Sequence, residues 1–199
     1  CYSPVPMLTN DLYERAVTEI IEPTAAAMRA EGRPYQGVLY AGLVMTHAGL
    51  KVLEFNCRFG DPESQVVLPR MESDLVELLD SAVDGRLHEA ECRWSDRVAV
   101  CVVVASGGYP GDYEKGKPIA GLGDAAAMDQ VMVFHAGTRR VADQIVTAGG
   151  RVLGVTALGE TYREAAERAY RAVDSIRFSG AHCRRDIAYQ ALASEGVAA

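Results

Sequence analysis

The apolar run Leu50-Lys51-Val52-Leu53-Glu54-Phe55-Asn56 leads into a charged segment, Cys57-Arg58-Phe59-Gly60-Asp61-Pro62-Glu63. As a strand it places Leu50, Val52, Glu54 and Asn56 on one face. The two oxygen-bearing side chains then sit roughly 6.6 Å apart along it, two steps of about 3.3 Å. One cation can accept both. A carboxylate and an amide oxygen are hard donors suited to Mg²⁺, which keeps waters and shares its shell with substrate phosphates. The chemistry indicated is that of a nucleoside triphosphate. A solvent-facing strand edge is the plainer alternative. Leu50 and Val52 on the same face argue for burial, which an unpaired carboxylate does not tolerate without a partner. From the residues alone the two readings stand about even.

Arg58 and Asp61 flank Gly60, where the backbone can turn tightly. Asp61 before Pro62 also reads as the cap of a short helix ending before Pro69. Glu63 reads as a surface residue at that helix start. Gly111-Asp112-Tyr113-Glu114-Lys115-Gly116-Lys117 has the GxxxxGK spacing of a phosphate loop, but Pro118 stands where Ser or Thr must reach Mg²⁺, so it is rejected. Gly107-Gly108-Tyr109-Pro110 is by itself a turn signal. His47, His88 and His182 read as surface residues. His135 reads as a structural hydrogen-bonding residue, since no Ser or Cys nucleophile is placed beside it.

Local patterning supplies the elements that position these residues. Residues 11–31 form a predicted helix on the recurrence of Tyr13, Val17, Ile20, Ile21, Thr24 and Met28, with Asn10 as cap, Gly32 as stop and a kink at Pro23. Residues 37–46 and 50–56 form a predicted hairpin around His47-Ala48-Gly49. A second helix spans 73–84, and the polar stretch Leu87 to Asp96 is the best linker. Beyond it come a Val-rich strand from Arg97 to Ala105, short strands near 131–134, 144–147 and 151–157, and a helix over about 162–177. Thr161 and Glu164 form its capping box, and Ala165, Ala169, Ala172, Val173 and Ile176 its buried stripe.

The 199 residues suffice for one large or two small domains, and 49% hydrophobic content is enough for packed cores. A net charge of -7 and a pI near 5.1 argue against a nucleic-acid groove or an anionic membrane surface. Five cysteines without a CxxC suggest neither a zinc site nor a complete disulfide framework, and point to a reducing compartment. No apolar run approaches the ~20 residues of a membrane span, and no export signal is visible.

Glu54-x-Asn56 on such a strand resembles the metal-binding element of ATP-grasp ligases, and Arg58 to Gln65 resembles the signature of the phosphoribosylamine-glycine ligase family. Tyr2-Ser3-Pro4, Leu39-Tyr40-Ala41-Gly42, Ser73 to Leu78, Gly107 to Tyr113, Phe134 to Thr138 and Gly149 to Leu153 match it too, in family order along almost the whole chain. The resemblance implies an α+β chain: residues 1–94 as the C-terminal part of an ATP-grasp domain, then a small α+β domain over 95–199. It implies the C-terminal half of a longer protein, whose N-terminal half supplies the lid over the nucleotide. The implied reaction joins glycine to 5-phospho-β-D-ribosylamine, with ATP cleaved to ADP and phosphate through glycyl phosphate, in cytoplasmic purine synthesis. By the same resemblance Glu54 and Asn56 hold Mg²⁺ (or Mn²⁺), and Leu53 packs near adenine. Arg58 and Asp61 are catalytic, meeting the acyl phosphate and a substrate amine. Tyr2, Ser3, Pro4, Gly107, Gly108 and Tyr109 contact substrate. Another ATP-grasp carboxylate-amine ligase and a catalytically silent binding module of this fold are the alternatives.

Overall fold

The computed structural model describes residues 1–195. In chain order the elements are β1 (Tyr2–Ser3), α1 (Asn10–Ala16), a π-helical turn (Val17–Ile21), α2 (Glu22–Ala30), β2 (Tyr40–Thr46), β3 (Gly49–Asn56) and α3 (Ser64–Val67). A 3-10 turn (Leu68–Arg70), α4 (Leu75–Val83), a second 3-10 turn (Leu87–Glu89), β4 (Val98–Ala105), α5 (Leu122–Ala126) and β5 (Val131–His135) follow. The last are β6 (Thr138–Val141), β7 (Gln144–Thr147), β8 (Arg151–Gly159), α6 (Tyr162–Ser175) and α7 (Tyr189–Glu195). Helices and antiparallel strands make this an α+β fold. Its contacts group into two compact units, one of Cys1–Pro4, Pro62–Arg70 and the residues from Asp96 on, the other of Val5–Asp61 and Met71–Ser95.

The first unit is built on a sheet of order β1-β4-β8-β5, every pair antiparallel, with Val102 opposite Val155. Alternate residues of β4 point to opposite faces. Val98 and Val100 pack with Tyr162, Ala165 and Ala166, and Val102 and Val104 with Ala169, Ala172 and Val173, so α6 covers that side. Ala99 and Cys101 on the other side meet Val66 of α3. Thr156 on β8 donates its hydroxyl to the Gln65 carbonyl at 2.8 Å. Alanines let α6 lie close to the sheet. Its cap is as expected: Thr161 Oγ1 accepts from the Glu164 amide at 3.1 Å. The returning Glu164 carboxylate accepts from the Glu160 amide, one residue earlier than a standard capping box.

In the second unit, the helix over 10–30 is capped by Thr9, whose Oγ1 accepts from the Leu12 amide, and not by Asn10, which is already its first residue. Pro23 does not end it. The π-helical turn at Val17–Ile21 widens the ladder just before the proline, where an ordinary turn would need the N–H that Pro23 lacks. β2 and β3 form the expected hairpin, with Thr46 opposite Gly49 and a register irregularity between Gly42 and Leu43. α4 is capped by Asp74, whose Oδ1 accepts from the Val76 and Glu77 amides. The stretch from Leu87 to Asp96 is more tied down than a free linker. Ser73 Oγ bonds the Glu91 carbonyl and the Arg93 amide, and Met71 bridges Trp94.

Candidate functional site

β3 brings Glu54 and Asn56 together: Asn56 Nδ2 donates to Glu54 Oε1 at 3.0 Å. That bond uses the amide nitrogen and one carboxylate oxygen. The second carboxylate oxygen and Asn56 Oδ1 are the hard donors that an Mg²⁺ ion would take. Two protein oxygens suit an ion that completes its shell with water and phosphate, and among the described residues no group of three or more His, Cys, Asp or Glu could hold a metal. The expected burial of this face is not what the structure has. Glu54 is exposed and Val52 is 40% accessible, while Leu50 and Asn56 are half-buried; Leu53, on the opposite face, is 71% accessible. An apolar strand residue is buried only where another layer covers it, and a carboxylate in contact with water is not obliged to find a protein partner.

Past the strand, Arg58 is exposed and donates Nη1 to the Phe59 carbonyl at 3.0 Å. Asp61 opens a turn two residues before the position that precedes α3. The residue preceding that helix is Glu63, in helical conformation and without a side-chain cap, and the chain enters through Gln65 and Val66 amides bonded to the Pro62 and Glu63 carbonyls. The proline stiffens a turn, so the helix starts two residues later than Asp61-Pro62 suggests, and Pro69 falls inside the 3-10 turn.

In the first unit, Tyr2 and Ser3 lie on β1 opposite Val100 and Ala99. Their groups serve the protein: Ser3 Oγ accepts from Arg70 Nη1 at 2.8 Å, Tyr2 meets Tyr162 edge-on at 5.8 Å, and the Pro4 carbonyl accepts from the Tyr162 hydroxyl at 3.0 Å. Burial pushes both tyrosine hydroxyls above their ordinary range and Arg70 below its own.

Gly107, Gly108 and Tyr109 form the turn after β4, at the far end of that strand from β1's partners. Ser106 binds both its amide and its hydroxyl to the carbonyls of Gly150 and Gly149, each at 2.8 Å. Gly108 has φ +98°, and a side chain there would overlap the Asp112 carbonyl. A side chain at Gly150 would overlap the Tyr109 ring, and one at Gly137 would come within 2.6 Å of Gly149 and of the Arg151 carbonyl. Three loops, 106–110, 135–138 and 148–151, therefore close on one another through glycines. The last two were not read as site loops from sequence. Their signal is a glycine at 137 and a pair at 149–150 bounding short strands.

Two cavities adjoin these loops. One of about 370 Å³ is lined by Gly107, Asp112, Tyr113, Glu114, Lys117, Ser179 and Gly180. The Lys117 ammonium pairs with Glu114 at 2.5 Å, which holds the Glu114 carboxyl below its ordinary value. The Gly116 and Lys117 amides go to Thr147, so the GxxxxGK segment is an irregular loop and cradles no phosphate. The other cavity, about 480 Å³, lies between α3 with its following turn and β5.

Residues 1–64 match the phosphoribosylglycinamide synthetase ATP-grasp (A) domain, and residues 99–190 match the phosphoribosylglycinamide synthetase C domain. The chain belongs to the phosphoribosylglycinamide synthetase family. It is 52% identical over 195 residues to the phosphoribosylamine–glycine ligase of Vibrio cholerae, covering 98% of this chain and 45% of that protein. The Allochromatium vinosum ligase is 53% identical over 98% of this chain and 45% of its own length. The chain thus spans a little under half of these relatives. The crystal structure of phosphoribosylamine–glycine ligase from Thermotoga maritima superimposes with a TM-score of 0.81 at 32% identity, over 93% of this chain and 45% of that one. A biotin carboxylase domain of a thermophilic 2-oxoglutarate carboxylase shares the fold, with a TM-score of 0.64 at 14% identity over 92% of this chain and 40% of its own. Among the described residues no helix is long and apolar enough to cross a membrane.

Proposed function

We propose that this chain supplies part of the catalytic apparatus of an ADP-forming ligase that joins glycine to 5-phospho-β-D-ribosylamine, with ATP as co-substrate, in cytoplasmic purine synthesis. The observation that carries the reading is the Glu54–Asn56 pair at 3.0 Å on an accessible strand of a chain from this family. Glu54 and Asn56 would hold Mg²⁺ or Mn²⁺ beside the triphosphate. The ion, when bound, neutralises charge on the phosphates during transfer to the glycine carboxylate.

The chain's own residues would do the rest. Leu53, 71% accessible, offers an apolar surface to adenine. Arg58 has guanidinium nitrogens beyond the one bonded to Phe59, and these would bind the acyl phosphate in charge-assisted hydrogen bonds. Asp61 would orient a substrate amine. Gly107, Gly108 and Tyr109 would let the substrate approach the backbone, and Tyr2, Ser3 and Pro4 are the remaining substrate contacts of this reading. No side chain need become acylated, because the glycine carboxylate is the first nucleophile and the sugar amine the second.

The test is Glu54→Gln in a polypeptide of the relatives' full length. The strand keeps its shape and loses a charged ligand, so turnover should fall by about two orders of magnitude, the effect of ~3 kcal/mol of lost charge compensation. The melting temperature should hold. Near-normal ligation at limiting Mg²⁺ would refute the assignment.

A further inference from the structure

α4 is apolar on more sides than the chain covers. Of its 9 residues only Glu77, Asp80 and Ser81 are polar. Leu75, Leu78, Ser81 and Ala82 make the covered side, with Leu78 9% accessible. The opposite side is apolar too: Val76 is 64%, Leu79 38% and Val83 74% accessible. These three recur at the spacing of one helical face. A surface helix keeps one apolar stripe for its own core, whereas a helix apolar all round is buried. α4 therefore has a second stripe that no described residue covers.

The charge around that stripe decides what fits it. At about 100° per residue, Asp80, Asp84 and Glu77 fall along one edge of the stripe and Leu79 along the other. Asp84 is paired with Arg86 at 2.7 Å, while Glu77 and Asp80 are exposed. Residues 72–84 hold five carboxylates and no Lys or Arg. The second unit has fourteen Asp and Glu against seven Lys and Arg, and the first unit has thirteen of each, so the whole net charge of -7 lies on the unit that carries α4. A second copy of the same face is a poor occupant. Across a two-fold antiparallel contact the acidic edges would meet, with no cation on either helix to separate them.

We propose that the outer face of α4 is a docking surface for a partner protein that presents a cationic amphipathic helix. The partner's apolar stripe lies on Val76, Leu79 and Val83, and its Lys or Arg side chains lie against Asp80 and Glu77. Two helices packed at roughly 8–10 Å between axes remove both stripes from water. The charges along the edge fix which way the partner lies. The surface uses none of the residues assigned to the ligase reading and stands without it.

The probe is a labelled helical peptide of about 15 residues, with Leu on one face and Lys along its edges. It is titrated into a polypeptide of the relatives' full length and read by fluorescence anisotropy. It should bind, and the same peptide with Glu in place of Lys should not. Val76→Ser/Val83→Ser, nearly neutral in helix propensity, should weaken binding about 10-fold and leave the melting temperature unchanged. Raising salt from about 0.05 to about 0.5 M should weaken binding about 10-fold in the unsubstituted protein and under about 2-fold in Glu77→Gln/Asp80→Asn. Val141→Ser, at an exposed apolar residue of the first unit, and Glu31→Gln, at an exposed carboxylate of the second, should bind as the unsubstituted protein does. No binding of the Lys peptide, equal binding of the Glu peptide, unchanged binding in the double Val variant, or equal loss in the two control variants would overturn the proposal. So would a fall of several degrees in the melting temperature of the double Val variant, which would show that the rest of the polypeptide already covers the stripe. Dimers that dissociate in that variant would give the face to a second copy, and would overturn the proposal as well.

Discussion

The β4–β8 pair and the β2–β3 pair are both antiparallel, built from strands of seven to nine residues, and both sequences are apolar. In β4, Ala99, Val100, Cys101 and Val102 are 0% accessible, with α6 on one face and Val66 on the other. In β2 and β3, Val44, Met45, Val52, Leu53 and Phe55 stay between 37% and 71% accessible. Hydrophobic stabilisation scales with area removed from water, at about 25 cal/mol per Å². The same composition therefore stabilises one strand pair and leaves the other with little gain. The open pair is the one that carries Glu54 and Asn56, so their accessibility to a ligand and the weak packing of their strand have one cause.

Hydrogen exchange should separate the two pairs most. Amides of residues 152–157 should exchange more slowly than those of 50–55 by about three orders of magnitude, the factor that ~4 kcal/mol provides. Comparable protection would mean that the hairpin is covered in solution. Next in size, Leu153→Ala, at a fully buried site, should cost about 3 kcal/mol in urea unfolding, whereas Leu53→Ala should cost under about 0.5 kcal/mol. A large loss from Leu53→Ala would break the contrast.

The helix caps sharpen it further. Thr161→Ala and Asp74→Ala each remove a side-chain acceptor, worth about 1 kcal/mol. The first should lower the unfolding midpoint of the closed sheet, the second only that of the unit holding the open hairpin, as read by amide exchange in each. The smallest effect is on acid stability. Hydrogen bonds from the Glu160 amide and from Arg168 hold the Glu164 carboxyl below its ordinary 4.5. A depressed carboxyl contributes stability that is present above its unfolded pKa and lost as pH falls through the lower folded one. The melting temperature should therefore decline below about pH 4.5, and Glu164→Gln should flatten part of that decline. An unchanged slope would show that the bonds are equally present after unfolding.

Elements whose stabilising partners are local in sequence were legible. Thr161, Glu164 and the alanine stripe define α6 without outside help, and a short turn between two apolar runs defines the hairpin. Where partners are distant, sequence patterning failed. β1 has only two residues and exists because Val100 and Ala99 accept it. β6 needs β7 beside it, and α5 follows a glycine turn with no apolar period of its own. The side chain of Val52 reads as buried because alternation cannot say whether a covering layer is present, and the structure leaves it exposed. The Glu54–Asn56 pair was legible because it needs only the strand's own repeat. The closure of loops 106–110, 135–138 and 148–151 was not, because it depends on glycine contacts between residues far apart in the chain.

The polypeptide passes between its two compact units after Pro4, Asp61, Arg70 and Ser95, four times in all. Neither unit is therefore heritable as one uninterrupted stretch of gene. A recombination joint near codon 95 would deliver the β4–β8 sheet stripped of β1 and of the helix whose Val66 fills the space against Ala99 and Cys101. Swapping this module between enzymes by a single crossover would leave a hole in its core, which favours inheritance of the two units together.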